Sequence, residues 1–183
     1  MKKIIAAALV SGSVLASSAQ AAQDGAYLPY VGMDYTYSDA NARFERPHYN
    51  SGSVNVGTMY NRFFGTEVFY QLSDSHKIRH ETDKSKTSFQ AYGLDLYGYL
   101  PFGCYGTFTL LGTVGVGEYT FRKDFSFAKK QRDHGSGWRA GLGAMFNIDQ
   151  HWGLRLLARY VNLNQVEDFD HMMEYSAGIR YTF

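Results

Sequence analysis

The chain has 183 residues, with 18 Lys and Arg against 17 Asp and Glu, a formal charge of +1. That length suits one domain, and no Pro-, Gly- or Ser-rich linker divides it. Near-neutrality excludes the strongly basic pattern of a nucleic-acid binder, and the single cysteine, Cys104, excludes an internal disulfide framework. Cys104 reads as a small apolar turn residue.

The N-terminus is set apart by its own pattern. Lys2 and Lys3 precede an apolar run from Ile4 to Leu15, and Ala19-Gln20-Ala21 supplies the small-x-small motif of a signal peptidase site. Residues 1–21 are therefore read as a cleaved signal peptide and 22–183 as the mature domain, which carries −1 without Lys2 and Lys3. The run is shorter than the roughly 20 residues of a spanning helix. No cysteine lies near the cleavage point, so a lipid anchor is not expected.

The mature chain holds many aromatics, with 15 Tyr and 13 Phe overall and only three Pro, a composition that favours strands. Eight segments alternate with period two. The first, 27–38, sets Val31, Met33, Tyr35 and Tyr37 against Tyr30, Gly32, Asp34 and Thr36. The second, 51–63, sets Val54, Val56, Thr58 and Tyr60 against Ser53, Asn55, Gly57 and Asn61. In 64–73, Thr66, Val68, Tyr70 and Leu72 oppose Glu67, Phe69, Gln71 and Ser73; in 88–100, Tyr92, Leu94, Leu96 and Leu100 oppose Ala91, Gly93, Asp95 and Tyr97.

The pattern continues through 107–121, 137–147, 152–163 and 172–183. Phe108, Leu110, Val114 and Val116, then Trp138, Leu142 and Phe146, then Trp152, Leu154, Leu156 and Tyr160, then Tyr175, Ile179, Tyr181 and Phe183 mark the apolar face. Connections alternate between tight (near Arg62, 102–106 and 148–150) and long and polar (39–50, 74–87, 122–136 and 164–170). Eight strands of this length with alternating connections predict an all-β fold, an eight-stranded antiparallel up-and-down transmembrane β-barrel.

The contents of the polar face separate a membrane barrel from a soluble one, which would place its apolar face inside. That face holds Asp34, Glu67, Asp95 and Glu174 with Arg139, Arg155, Arg159 and Arg180, four charges of each sign. A barrel of eight strands is just wide enough for its own side chains, and buried charges need partners. These residues are expected to form interior ion pairs. Beyond Lys3, every Lys lies in the second or third long connection, none in a strand segment, and aromatics gather near both segment ends as interface girdles.

At this point the chain resembles the small outer-membrane β-barrel family, meaning OmpA-type transmembrane domains, OmpX-type barrels and opacity-like surface antigens, from about Tyr27 to Phe183. Its terminal segment, with Tyr175, Ile179, Tyr181 and Phe183 alternating to a final Phe, is similar to the family's assembly signal. The resemblance implies a Gram-negative-type outer membrane, with the membrane's lipid and lipopolysaccharide and its insertion machinery as partners. Unlike full-length OmpA-type proteins the sequence stops at Phe183, so a wall-binding domain is not expected.

No phosphate-binding loop, His-Glu-x-x-His or paired-cysteine motif is present. Neither cofactor, metal site nor catalytic residue is expected. His134-Gly135-Ser136 resembles the His-x-Ser element of lipid A deacylase barrels, but no acid follows on the next segment, and Glu118 is only a substitute from the preceding one. The third long connection is basic through Arg122, Lys123, Lys129, Lys130 and Arg132, with Phe125 and Phe127 among the charges; the fourth is acidic through Glu167, Asp168 and Asp170. Basic loops suit polyanions, either lipopolysaccharide phosphates or sulfated host glycans or matrix. The expectation is a monomeric structural and surface-interaction protein that contacts no nucleic acid. A narrow solute channel and a lipid A deacylase-like hydrolase are the alternatives.

Overall fold

The computed structural model describes residues 27–42, 48–74, 76–79, 84–102, 107–125, 131–164 and 169–183. The expected signal peptide and Cys104 lie outside these residues. Every regular element described is a strand: β1 (Leu28–Ala42), β2 (His48–Met59), β3 (Phe64–Ser73), β4 (His76–Arg79), β5 (Lys84–Phe102), β6 (Phe108–Phe125), β7 (Gln131–Asn147), β8 (Trp152–Asn164) and β9 (Phe169–Thr182). All pairings are antiparallel, and each strand follows its neighbour in the chain except where β1 meets β9 and β3 meets β5. Those two contacts close the sheet on itself. β4 continues β3 above a one-residue shift in register, between Leu72↔Gln90 and His76↔Thr87, so the ring has eight staves.

The register sets the shape of the ring. Tyr30 pairs across to Gly57, Gly57 to Glu67, and the row runs on through Asp95, Gly115, Arg139, Val161 and Met172. It returns to β1 at Ala40, ten residues above its start. With strands about 4.8 Å apart and a rise of about 3.3 Å per residue, that stagger tilts them by about 40°. The tilt falls in the range of transmembrane barrels, and the enclosed space is one that side chains fill.

Burial follows the alternation. Met33, Val54, Val68, Leu94, Leu96, Val114, Leu142 and Leu156 are exposed, whereas Asp34, Asn55, Glu67, Gln71, Asp95 and Arg155 are buried. The protein is thus inverted relative to a water-soluble barrel, with its apolar surface outside. No helix among the described residues is long and apolar enough to cross a membrane; the strands do the crossing.

Several expectations change in detail. The strands run further than 27–38, 88–100, 107–121 and 137–147, which turns much of the predicted long connections into paired strand. Backbone pairing in water needs no apolar face, so these polar extensions carry no alternation to read. The second segment stops at Met59, because 60–63 form a turn rather than strand. Asn61 does not face the interior; its side-chain oxygen accepts hydrogen bonds from the N–H groups of Phe63 and Phe64 at 2.8 and 2.9 Å, which closes the turn. Thr58, in the outward phase, is buried.

The turn at 148–151 is held the same way. Asp149 accepts from the N–H groups of His151 and Trp152, both at 2.7 Å. Those donors, Trp152 foremost, hold its carboxyl below the ordinary carboxylate range.

The outward face makes a testable claim. Leu142 is 74% exposed and lies midway on β7 between Trp138 and Phe146. Leu142→Arg is expected to destabilise the barrel by about 2–4 kcal/mol in vesicles, measured by denaturant titration, while Leu142→Ile leaves it nearly unchanged. Equal behaviour of the two variants would refute a lipid-facing position.

Candidate functional site

The interior is the most densely organised part of the molecule. Asp34, Glu67, Asp95, Glu174, Arg139, Arg155, Arg159 and Arg180 are each at most 5% exposed. Seven of them are joined in two groups. In the first, Arg155 reaches across the barrel from β8, with Nη2 on Asp34 of β1 and Nη1 on Glu67 of β3, each at 2.6 Å. Asn55 donates to the same Asp34 carboxylate at 2.5 Å, and the Tyr97 hydroxyl donates to Glu67 at 3.2 Å.

In the second group Arg139 grips Asp95 with two parallel hydrogen bonds, Nε to Oδ1 at 2.7 Å and Nη2 to Oδ2. Its guanidinium carbon stands 3.3 Å from the centre of the Phe69 ring. Arg159 lies 3.7 Å from Asp95 and 3.6 Å from Glu174, and Glu174 accepts from Gln71 at 3.2 Å.

This arrangement answers a problem set by the sheet. Glu67 and Asp95 are direct cross-strand partners, and like charges so placed repel. Arg155 draws one carboxylate down its own contacts and Arg139 draws the other. Two glycines make room. A Cβ at Gly115 would collide with the Asp95 carboxylate, and one at Gly178 with that of Asp34.

Arg180 does not join either group. Its Nη1 approaches the Tyr99 hydroxyl at 3.4 Å and its Nη2 the Met59 sulfur at 3.5 Å, with the Tyr30 ring centre 4.5 Å from the guanidinium carbon. The expected pairing of four acids with four arginines therefore reduces, among the described residues, to four acids with three.

The outer rim gathers different chemistry. Of the expected basic loop, Lys129 and Lys130 lie outside the described residues, while Arg122 and Lys123 fall in β6 and Arg132 in β7. Arg122 is paired directly with Arg132. Lys77 is paired with Lys86, and Arg79 with Lys84. Lys86 in turn faces Asp124, and Thr87 faces Lys123. In the sequence the second and third connections are separate segments. The pairing β4-β5-β6-β7 makes them one sheet, in which Lys77, Arg79, Lys84, Lys86, Arg122 and Arg132 share the register phase of the outward-facing residues below. Lys123 falls in the opposite phase. Among the acids of the fourth connection, Glu167 and Asp168 lie outside the described residues.

His134 and Ser136 are exposed on one face of β7. The ring Nδ1 of His134 is hydrogen-bonded to the Thr120 hydroxyl at 3.0 Å, and Glu118 stands opposite Ser136 rather than beside the imidazole. Among the described residues no hydrogen bond joins His134 to Ser136, the contact a base and nucleophile need. Elsewhere on the rim His48 stacks on Tyr37 and His171 on Tyr160, and no three candidate metal ligands converge among the described residues.

The C-terminal segment shows its expected alternation. Tyr175 and Ile179 are exposed on the outer face of β9, and Phe183, just past its end, is exposed too. Tyr181 packs edge-on against Trp152 at 5.0 Å and Phe183 at 5.3 Å.

The family model described as "Outer membrane protein beta-barrel domain" matches residues 5–183. No curated protein sequence matches. Among solved structures, Neisserial surface protein A superposes with a TM-score of 0.66 at 16% identity, covering 85% of this chain and 97% of that one. Ail, the attachment invasion locus protein of Yersinia pestis, in complex with the heparin analogue sucrose octasulfate, gives 0.63 at 13% identity, covering 86% and 99%. The outer membrane protein OprG of Pseudomonas aeruginosa gives 0.53 at 14% identity, covering 86% and 96%. Likeness at these identities speaks to fold.

Removing one partner from a buried pair strands the other. Asp95→Asn is expected to cost about 3–5 kcal/mol of unfolding free energy in lipid vesicles. Asp95→Asn combined with Arg139→Met should recover much of that loss, since no lone charge stays buried. A double variant as weak as the sum of the two single ones would refute the pairing.

Proposed function

The chain belongs to the outer membrane protein β-barrel family, and from that premise we propose that it is a structural and surface-interaction protein whose barrel is a plugged scaffold. Its working surface is the basic sheet formed by the outer ends of β4–β7. The observation that carries this reading is the direct opposition of like charges, Lys77 to Lys86, Arg79 to Lys84 and Arg122 to Arg132. Such pairs destabilise an antiparallel sheet unless an anion lies between them. Among the described residues, six cations share one phase with Asp124 at the same height and Glu118 below.

The position of the strip selects among polyanions. Its phase is that of Tyr92, Glu118 and Trp138, which face outward below it. It therefore borders the outer leaflet, where the phosphates of lipopolysaccharide lie within reach of cations just above an aromatic girdle. Each Lys or Arg held near such a surface contributes about 1 kcal/mol. Sulfated glycans offer the same chemistry from outside the cell. The Yersinia pestis barrel crystallised with a sulfated sugar is a precedent of like fold. The interior supports the scaffold role, because Arg155 of β8 spans the lumen to Glu67 of β3 and the Arg139–Asp95 pair lies inside it over β6.

The test is binding of the refolded barrel to lipopolysaccharide vesicles and to heparin across a range of salt. Binding is expected to weaken as salt rises. Neutralising Lys77, Lys86, Arg122 and Arg132 together should lower affinity by about tenfold or more. Neutralising Lys123, Lys129 and Lys130 should matter less. Salt-independent binding, or equal loss in both variants, overturns the strip as the contact surface. A steady conductance in planar bilayers would overturn the plug.

A further inference from the structure

Arg180 is the charged interior residue that the two ion-pair groups leave out, and it lies beside a cavity. At the short-turn end of the barrel a cavity of about 440 Å³ is framed by residues of, or flanking, all three tight turns. Arg180 lines it from β9, Tyr99 and Met59 line it beside Arg180, and Arg62 and His151 stand in two of the turns. Its volume is in the range of small-molecule sites, roughly 300–1,000 Å³.

We propose that this vestibule is a binding site for a compact oxyanion, a phosphate or carboxylate group of a small periplasmic solute, seated on the Arg180 guanidinium. A guanidinium carries five N–H donors in a planar fork. For Arg180 the acceptors within reach are a hydroxyl at 3.4 Å and a thioether sulfur at 3.5 Å, both long, and it is 5% exposed. Among the described residues no carboxylate lies within ion-pair distance of it, whereas Arg139, Arg155 and Arg159 each have one or more. The four acids and three arginines of the two groups sum to −1, which stabilises Arg180 at a distance but fills none of its donors.

The fork geometry matches two oxygens of a phosphate or carboxylate. The cavity's charge agrees. Its other cation is Arg62, and its lone carboxylate, Asp149, has an oxygen already taken by two backbone N–H groups. This site faces the opposite side of the membrane from the basic strip and stands independently of it.

The experiment uses the mature barrel in lipid nanodiscs, titrated with inorganic phosphate against chloride at constant ionic strength. The readouts are the Arg180 Nε–H and Trp152 indole N–H resonances. A saturable shift of both in the millimolar range is expected. Arg180→Gln should weaken the Trp152 response by about tenfold or more, the loss of one charge-assisted pairing. Arg62→Gln, on an exposed turn, should weaken it by a smaller factor. Should Arg180→Gln fail to fold, the wild-type Arg180 resonance together with Arg62→Gln still decides. Absent or non-saturating shifts in the wild type, or an unchanged response in Arg180→Gln, would mean a hydrated arginine with no anion site.

Discussion

Closure of the sheet with a ten-residue stagger governs the rest of the molecule. It gives every central strand two hydrogen-bonded neighbours, which a bilayer demands because lipid offers no substitute partners. It also fixes tilt and radius together, leaving a bore that must be filled by side chains from all eight staves. The eight charged residues that stand in it are each at most 5% exposed. The polar residues of the inner face must therefore satisfy one another, and Arg155, Arg139 and Arg159 do this for four carboxylates.

Much of this was legible in the sequence because lipid and bore impose opposite chemistry on alternate residues. Asp34, Glu67, Asp95, Arg139, Arg155, Arg159, Glu174 and Arg180 all fall on the inner face for that reason. Their partners were not legible. Arg155 is 121 residues from Asp34 and 88 from Glu67, and only the register brings them together. Counting charges suggested an even match of four with four. Arg180 breaks it, since a residue's phase says which face it takes but not its height in the bore.

The rim was harder to read for a related reason. The outer ends of the strands are polar in both phases, so residues such as Lys84 and Lys86 or Arg122 and Lys123 carry no apolar alternation even though their backbones are paired. The sequence reading took them for loops. Joining β4 to β7 into one sheet depends on backbone pairing between separate segments of the chain. Asn61 shows the reverse error, a polar residue in phase with the interior that instead closes a turn.

The adjacency of Glu67 and Asp95 bears on how such a chain reaches its final form. Both acids come from neighbouring strands early in the chain, while the arginines that neutralise them come from β7 and β8. A hairpin of β3 and β5 standing alone in a membrane would hold two facing carboxylates with no cation nearby. The early half of the ring therefore carries a repulsion that only the later staves relieve. A partly inserted sheet lacking β7 and β8 would keep both facing carboxylates uncompensated, which weighs against half-barrels lingering in the lipid.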